Sequence, residues 1–359
     1  MAELPLTPAE ETLSPSLPET GASSPAELVP GADQASYRVI HETEYHYGHP
    51  VALSQQLLHL APRDLPWQHI ASQSLRLSPE PALRLTRQDA FGNPVTLLAF
   101  ETPHDCLVVR AETRVTVYAH QPDPGAGQGP DWETAAALFR YTGASHPPAP
   151  QVLAASQFLF ASPFVPLGTA FAAFAADCFS PGRSVLAGAR ALMGKIHREF
   201  QFDDEATSVA TPVAEVLEKR RGVCQDFAHL MLACLRSLGL PARYVSGYIL
   251  TLPPPGQPRL VGADASHAWV SLFCPEVGWV DLDPTNNLLP DLQHITLAWG
   301  RDFSDVSPMR GVILGGGAHD LEVRVTVQPE GETDGVSPGA EAAWGEGGVP
   351  RAGEAPGAA

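Results

Sequence analysis

The sequence predicts an α+β protein, a cysteine-bearing helical core preceded by a small antiparallel β module. Three observations carry that prediction. An apolar-periodic helix opens on a cysteine at position 224. Two short β-branched and aromatic runs follow it, over 264–273 and 278–285. Far upstream, residues 37–47 set Tyr37, Val39, His41, Thr43, Tyr45 and Tyr47 against mostly polar neighbours, the period of a half-buried strand.

The 359 residues are enough for two modest domains with a real core. Residues 1–36 are rich in Pro, Ser, Glu and Ala without periodicity and read as a disordered tail. The β module spans 37–120, with further strand candidates at 51–60, 70–77, 82–88, 95–100 and 106–118 and a turn over 89–94. A Pro/Gly/Asp linker covers 121–130. The core is expected over 131–330 and opens on a short helix capped by Asp131, followed by a second proline-rich break at 147–150.

The apolar stretch 152–178 is the one place where a membrane span suggests itself. Pro163, Pro166, Gly168 and Gln157 interrupt it and basic flanks are missing, so a pair of buried core helices is the better expectation. Residues 184–200 form an amphipathic helix with Leu186, Ala189, Leu192, Met193 and Ile196 inward, and 211–217 a short capped one. The helix from Cys224 runs to about 238, where Gly239 supplies a left-handed cap and Pro241 forbids continuation. The two runs after it pair as a hairpin about Pro275 and Gly278. Residues 300–309 read as a loop, 321–327 as a strand and 331–359 as a second disordered tail.

Cys224 sits in the first turn of its helix, where unpaired N–H groups and the dipole favour a thiolate. A nucleophile there needs a base and a group to orient the base. His267 and Asp283 lie near the open ends of the hairpin, where paired strands bring them side by side. Asp281, two residues away on the same face, competes with Asp283 for the orienting role. Taken alone, each of these residues has a plain structural reading as a small core thiol, a surface histidine or a strand-end acid.

Gly-Val-Cys-Gln-Asp-Phe-Ala at 222–228, His-Ala-Trp-Val at 267–270 and Gly-Trp-Val-Asp-Leu-Asp-Pro-Thr-Asn at 278–286 resemble the three signatures of the transglutaminase-like superfamily. The opening at Tyr37 and the segments 300–306 and 310–312 are also similar to the bacterial branch of that family. The resemblance covers about 37–329. It implies a papain-like α+β core with Cys224 as nucleophile, His267 as base and Asp283, before Pro-Thr, as the orienting acid. It also implies acyl transfer through a thioester, from a peptide or carboxamide carbonyl to water or to an amine. The expectation leans towards a thiol hydrolase. The alternative is a non-catalytic protein that presents a peptide-binding cleft, for which a decayed triad would have been the mark.

Composition bounds the partners. A net charge of −18 argues against nucleic acid and anionic membrane surfaces and leaves a peptide or protein substrate. Only Lys195 and Lys219 are lysines, so a cross-linking enzyme of this composition would rarely join itself. Five scattered cysteines suit a reduced, cytoplasmic protein with one functional thiol, and the opening Met-Ala-Glu-Leu-Pro lacks the basic and apolar regions of a secretory signal. No cofactor or metal is expected: Cys224, His229 and Cys234 do not share a helix face, and no CxxC accompanies them. Asp226 and His229 read as structural, and Trp269, Trp279 and Tyr248 as core or cleft-wall aromatics.

Overall fold

The computed structural model describes residues 33–120, 129–140, 149–203, 205–208, 210–251 and 266–330. The chain begins with β1 (Gln34–Leu58), β2 (Gln68–Ser78), β3 (Leu83–Gln88), β4 (Pro94–Phe100) and β5 (His104–Tyr118). Helices α1 (Trp132–Ala137), α2 (Pro150–Ser156), α3 (Thr169–Ala175) and α4 (Val185–Glu199) follow. Next come β6 (Gln201–Phe202), α5 (Val213–Lys219), β7 (Arg221–Gly222) and α6 (Cys224–Ser237). The chain then forms β8 (Ala242–Ile249), β9 (Ser266–Cys274), β10 (Gly278–Leu282), β11 (His294–Gly300) and α7 (Phe303–Val306), and closes with β12 (Met309–Gly315) and β13 (His319–Pro329). The fold is α+β, as expected.

Strand β1 organises the N-terminal sheet. Its first half alternates as the sequence predicts, with Tyr37, Val39, His41, Thr43 and Tyr47 buried, and pairs with β5 on one side and β13 on the other. Gly48-His49-Pro50 does not end the strand. The register shifts between His46 and Val51, and the second half pairs with β4 and β12. One strand thus serves two layers, and Val51, Leu58, Leu77, Leu98, Phe100 and Leu107 fill the space between them.

The helical core packs on a second sheet with the order β10-β9-β8-β11. Helix α6 is apolar almost all round, and α3, α4 and α5 surround it. Asp131 caps α1 through the Thr134 N–H at 2.7 Å, and Gly239 ends α6 at φ +82°, both as expected. The stretch 152–178 departs from the expected pair of buried helices. Prolines 163 and 166 hold it to one- or two-turn helices, and Leu153 and Phe160 are exposed. No helix among the described residues is long and apolar enough to cross a membrane.

Two boundaries differ from expectation. Strand β1 starts at Gln34, so the expected tail of 1–36 gives its last residues to the sheet; 1–32, 331–359 and the proline run within 252–265 lie outside the described residues. At the other end, β12 and β13 return to the N-terminal sheet, so the span 131–330 holds two strands that belong, by hydrogen bonding, to β1. Alternation along 321–327 could reveal a strand there but not its partner.

The two sheets are joined at the free edge of β11. The Gln68 side chain donates to the Thr296 carbonyl and accepts from the Thr296 N–H, both at 2.7 Å. Asn93 does the same for Trp299, donating at 2.8 Å and accepting at 3.0 Å. Each carboxamide therefore copies the two bonds that a neighbouring strand would make and satisfies an edge that water cannot reach. Beside them, the Arg63 and Arg243 guanidinium carbons lie 3.5 and 3.6 Å from the Trp299 ring centre, and Arg243 lies 4.2 Å from that of Trp279. Tyr37, Val39, Val115 and Val117 complete this seam against Tyr248, Ile295 and Leu297.

Gln68 and Asn93 are almost fully buried. Truncating either to Ala orphans a backbone N–H and C=O, an expected loss of about 1–3 kcal/mol in urea unfolding. A loss below about 0.5 kcal/mol, the range of ordinary surface changes, would count against the edge-pairing role.

Candidate active site

Helix α6 starts at Cys224 because the residues before it build a cap. The Asp226 carboxylate accepts from the Val223 N–H at 2.9 Å and from the Thr207 hydroxyl at 2.6 Å. A Cβ at position 222 would stand 2.5 Å from that carboxylate, so the glycine of Gly-Val-Cys provides the close approach. Burial pushes the Asp226 pKa up, against the two hydrogen bonds. Cys224, the first helical residue, is half-buried, with its N–H in the unpaired first turn.

His267 stands at the start of β9, buried, opposite Gly247 of β8. Its Nε2 lies 2.8 Å from Asp283 Oδ2, and the Cys224 side chain is close enough to act on its protonation. The structure therefore brings Cys224, His267 and Asp283 together. Asp283 is completely buried just beyond β10, where Pro284 stops the strand. Its Oδ1 accepts from the Thr285 and Asn286 N–H groups at 2.9 and 3.1 Å. Asn287 takes the left-handed conformation at φ +53°, and the Asp283 N–H donates to the Leu288 carbonyl at 2.9 Å. Asp-Pro-Thr-Asn-Asn is thus a closed loop wound around its own carboxylate.

The electrostatics follow from that geometry. Burial works to lower the His267 pKa, but the Asp283 charge and hydrogen bond, joined by those of Cys224, raise it. Burial likewise works to raise the Asp283 pKa, and the two imidazoles beside it, His267 and His294, bring it down. The sheet end favours a charged imidazole against a carboxylate.

Asp281, the competitor, points elsewhere. It accepts from Trp269 Nε1 at 3.0 Å and faces Arg243, whose pKa burial pushes down to about 9. Trp269 is fully buried and places its ring edge-on to His294 at 5.2 Å and tilted to His267 at 6.1 Å. Two residues of the site were missed by the sequence reading. Asn286 donates to Asp283 Oδ2 at 2.8 Å, and His294, at the head of β11, lies 3.2 Å from the same oxygen. The Asn in Asp-Pro-Thr-Asn was a legible signal for the first; His294 had none beyond its place before a buried run.

His229 is structural. Its Nε2 accepts from the Phe303 N–H at 3.2 Å, its ring stacks on Phe164, and burial lowers its pKa to about 3. Cys224, His229 and Cys234 form no metal-sized cluster among the described residues. His267, Asp283 and His294 do approach within 4.8 Å of one another, and two imidazoles donating to one carboxylate oxygen account for that closeness.

Residues 172–284 match the model of the transglutaminase-like superfamily, and residues 37–116 match that of the bacterial transglutaminase-like N-terminal region. The chain belongs to the transglutaminase-like superfamily. An uncharacterised protein of Mycobacterium tuberculosis is 38% identical over 82% of this chain and 92% of its own length. A second, from Mycobacterium leprae, is 32% identical over 81% of this chain and 97% of its own. A protein-glutamine gamma-glutamyltransferase of Pseudomonas aeruginosa is 32% identical over 30% of this chain and 18% of its own length. Among solved structures, a candidate cysteine protease from Cytophaga hutchinsonii superimposes with a TM-score of 0.63 at 20% identity, over 84% of this chain and 93% of that one. It shares the transglutaminase-like fold.

Two outcomes are expected. Iodoacetamide should modify Cys224 well before the other four cysteines, since burial raises the pKa of Cys106, Cys178, Cys234 and Cys274. Uniform slow labelling, read by mass spectrometry, would contradict this. Stability should also fall with acid. Burial holds the His41 pKa at about 4 and the His229 pKa at about 3, so both rings are neutral in the fold. The unfolded chain takes up those protons below about pH 6.5. Stability is then lost as pH drops from about 6.5 towards 4, by roughly 2–3 kcal/mol per histidine. Urea midpoints that stay level across that window would refute the assignment.

Proposed function

We propose that Cys224, His267 and Asp283 form the catalytic triad of a cysteine acyl-transfer enzyme. The observation that carries this reading is the 2.8 Å His267–Asp283 bond on an imidazole whose protonation also responds to the thiol at a helix N-terminus. His267 takes the Cys224 proton, and the thiolate attacks a carboxamide or peptide carbonyl. The Cys224 N–H donates to the oxyanion that forms. Collapse sends the imidazolium proton to the departing ammonia or amine and leaves a thioester. His267 next deprotonates water or an amine, which attacks the thioester and returns the thiol. Asp283 holds the ring and supports its charge throughout.

The superfamily membership and the partial match to a protein-glutamine gamma-glutamyltransferase support a glutamine carboxamide as the acyl donor, on a peptide or protein. The cysteine-protease assignment of the structural neighbour supports water as the acceptor. Both outcomes run through one thioester. We place the protein in a reducing compartment such as the cytoplasm, because all five cysteines are free and one must remain a thiol.

The test is incubation with glutamine-containing peptides and a fluorescent primary amine, read by mass spectrometry. Amine-tagged peptides mean transfer; cleaved or deamidated peptides mean hydrolysis. Either should vanish in Cys224→Ala and fall by about 10²–10⁴ in Asp283→Asn, with the fold intact. Turnover that survives in Cys224→Ala would sink the proposal.

A further inference from the structure

We propose that His294 is a positioning residue for the His267–Asp283 pair: it donates from Nε2 to the carboxylate oxygen that His267 uses and so limits how tightly Asp283 holds the imidazolium. The inference rests on the triad reading above. Asp283 Oδ2 receives three side-chain donors: His267 and Asn286 at 2.8 Å each, and His294 at 3.2 Å. His294 is buried and held from two sides. Its N–H donates to the Asp291 carbonyl at 2.9 Å, and the Trp269 ring stands against it at 84°.

The tautomer follows from the surroundings. A proton on Nδ1 would aim the Nε2 lone pair at a carboxylate, which is repulsive; a proton on Nε2 aims a donor at it. Burial lowers the His294 pKa and the His267 charge opposes a second proton, while Asp283 and Asp281 work the other way; the net shift is downward and keeps the ring neutral. Nδ1 is left as a buried acceptor without a partner among the described residues. Such an orphan is destabilising, and an apolar ring of the same size would fill the space without it. The site keeps a destabilising atom in order to place a donor on Asp283.

That donor has a chemical consequence. A carboxylate that serves one imidazole alone would hold its proton too firmly for release to the leaving amine. Each further N–H draws charge away from His267 and brings its proton affinity nearer to neutrality, where acid–base catalysis works best. The ionisable groups facing the two imidazoles, His267 and His294, among the described residues, are Cys224, Asp283 and Asp281. Asp281 is engaged by Trp269 and Arg243, which leaves Asp283 as the group whose sharing sets the balance.

The experiment is the pH dependence of Cys224 alkylation by iodoacetate, which needs no substrate. The anionic reagent is drawn by the imidazolium, so its rate falls on the alkaline side as His267 loses its proton. In His294→Phe the alkaline limb should move up by about half to one pH unit, as expected when one donor to the carboxylate is lost. In His294→Gln, whose amide nitrogen can stand where Nε2 stood, the limb should return towards the wild type. A purely structural histidine would lower the melting temperature in both variants and leave the limb where it was. An unmoved limb in folded His294→Phe overturns the inference. Should that variant fail to fold, nitrogen-15 NMR of the wild type decides: a proton on Nε2 of neutral His294 supports the proposal, and one on Nδ1 overturns it. A wild-type profile that rises only as a free thiol does, near pH 8.5, would instead refute the triad, and the NMR tautomer would still judge His294.

Discussion

A carboxylate with no access to water governs this structure. Asp283 is fully buried, and an isolated ion there would revert to the neutral acid. It stays charged because five N–H groups converge on it: two from the backbone of its own loop, and one each from Asn286, His267 and His294. These donors come from β9, from the loop after β10 and from the head of β11. Each of those segments must be in place before the charge is tolerable, so one anion ties the end of the core sheet into a single arrangement. The same anion supports a proton on His267, which connects the rigidity of the fold to the chemistry we propose.

The requirement reaches beyond the core. Strand β11 carries His294 and is the outermost strand of its sheet, and its free edge is completed by two carboxamides from the N-terminal module. The module acts as a surrogate strand, and the guanidinium–indole stack of Arg63, Trp299, Arg243 and Trp279 seals the joint. A β module that looks remote from Cys224 in the sequence is therefore one strand away from the carboxylate hydrogen-bonded to His267.

The sequence was most readable where a residue's role is made locally. Cys224 follows a Gly and opens an apolar helix, His267 opens a strand, and Asp283 precedes the Pro that ends one. Each is a boundary with its own turn or cap chemistry, and the three were legible together. The choice between Asp283 and Asp281 was open in the residues themselves, two apart in one short run; in the structure Asp283 meets His267, while the Trp269 N–H occupies Asp281. Roles made at a distance left no trace. Gln68 meets a strand 228 residues away and Asn93 one 206 away, and nothing in an isolated Gln or Asn marks such a partner. Gly48-His49-Pro50 misled in the opposite sense, since local punctuation implied a break where cross-strand pairing on both sides carries β1 through.

Strand β1 leaves the ribosome long before β13, one of its two long neighbours. Arg324 of β13 binds Glu42 of β1 across 282 residues of chain. Contacts of that span are slow to form, since a long loop must close before they contribute anything. During synthesis β1 has β4 and β5 at hand, while the edges later taken by β12 and β13 stay open until the whole helical core has emerged. The nascent chain therefore carries an unfinished sheet until β12 and β13 have followed. The order of assembly is inverted relative to the order of the sequence: a sheet opened before the helical core is sealed only after it, by the two strands that follow that core.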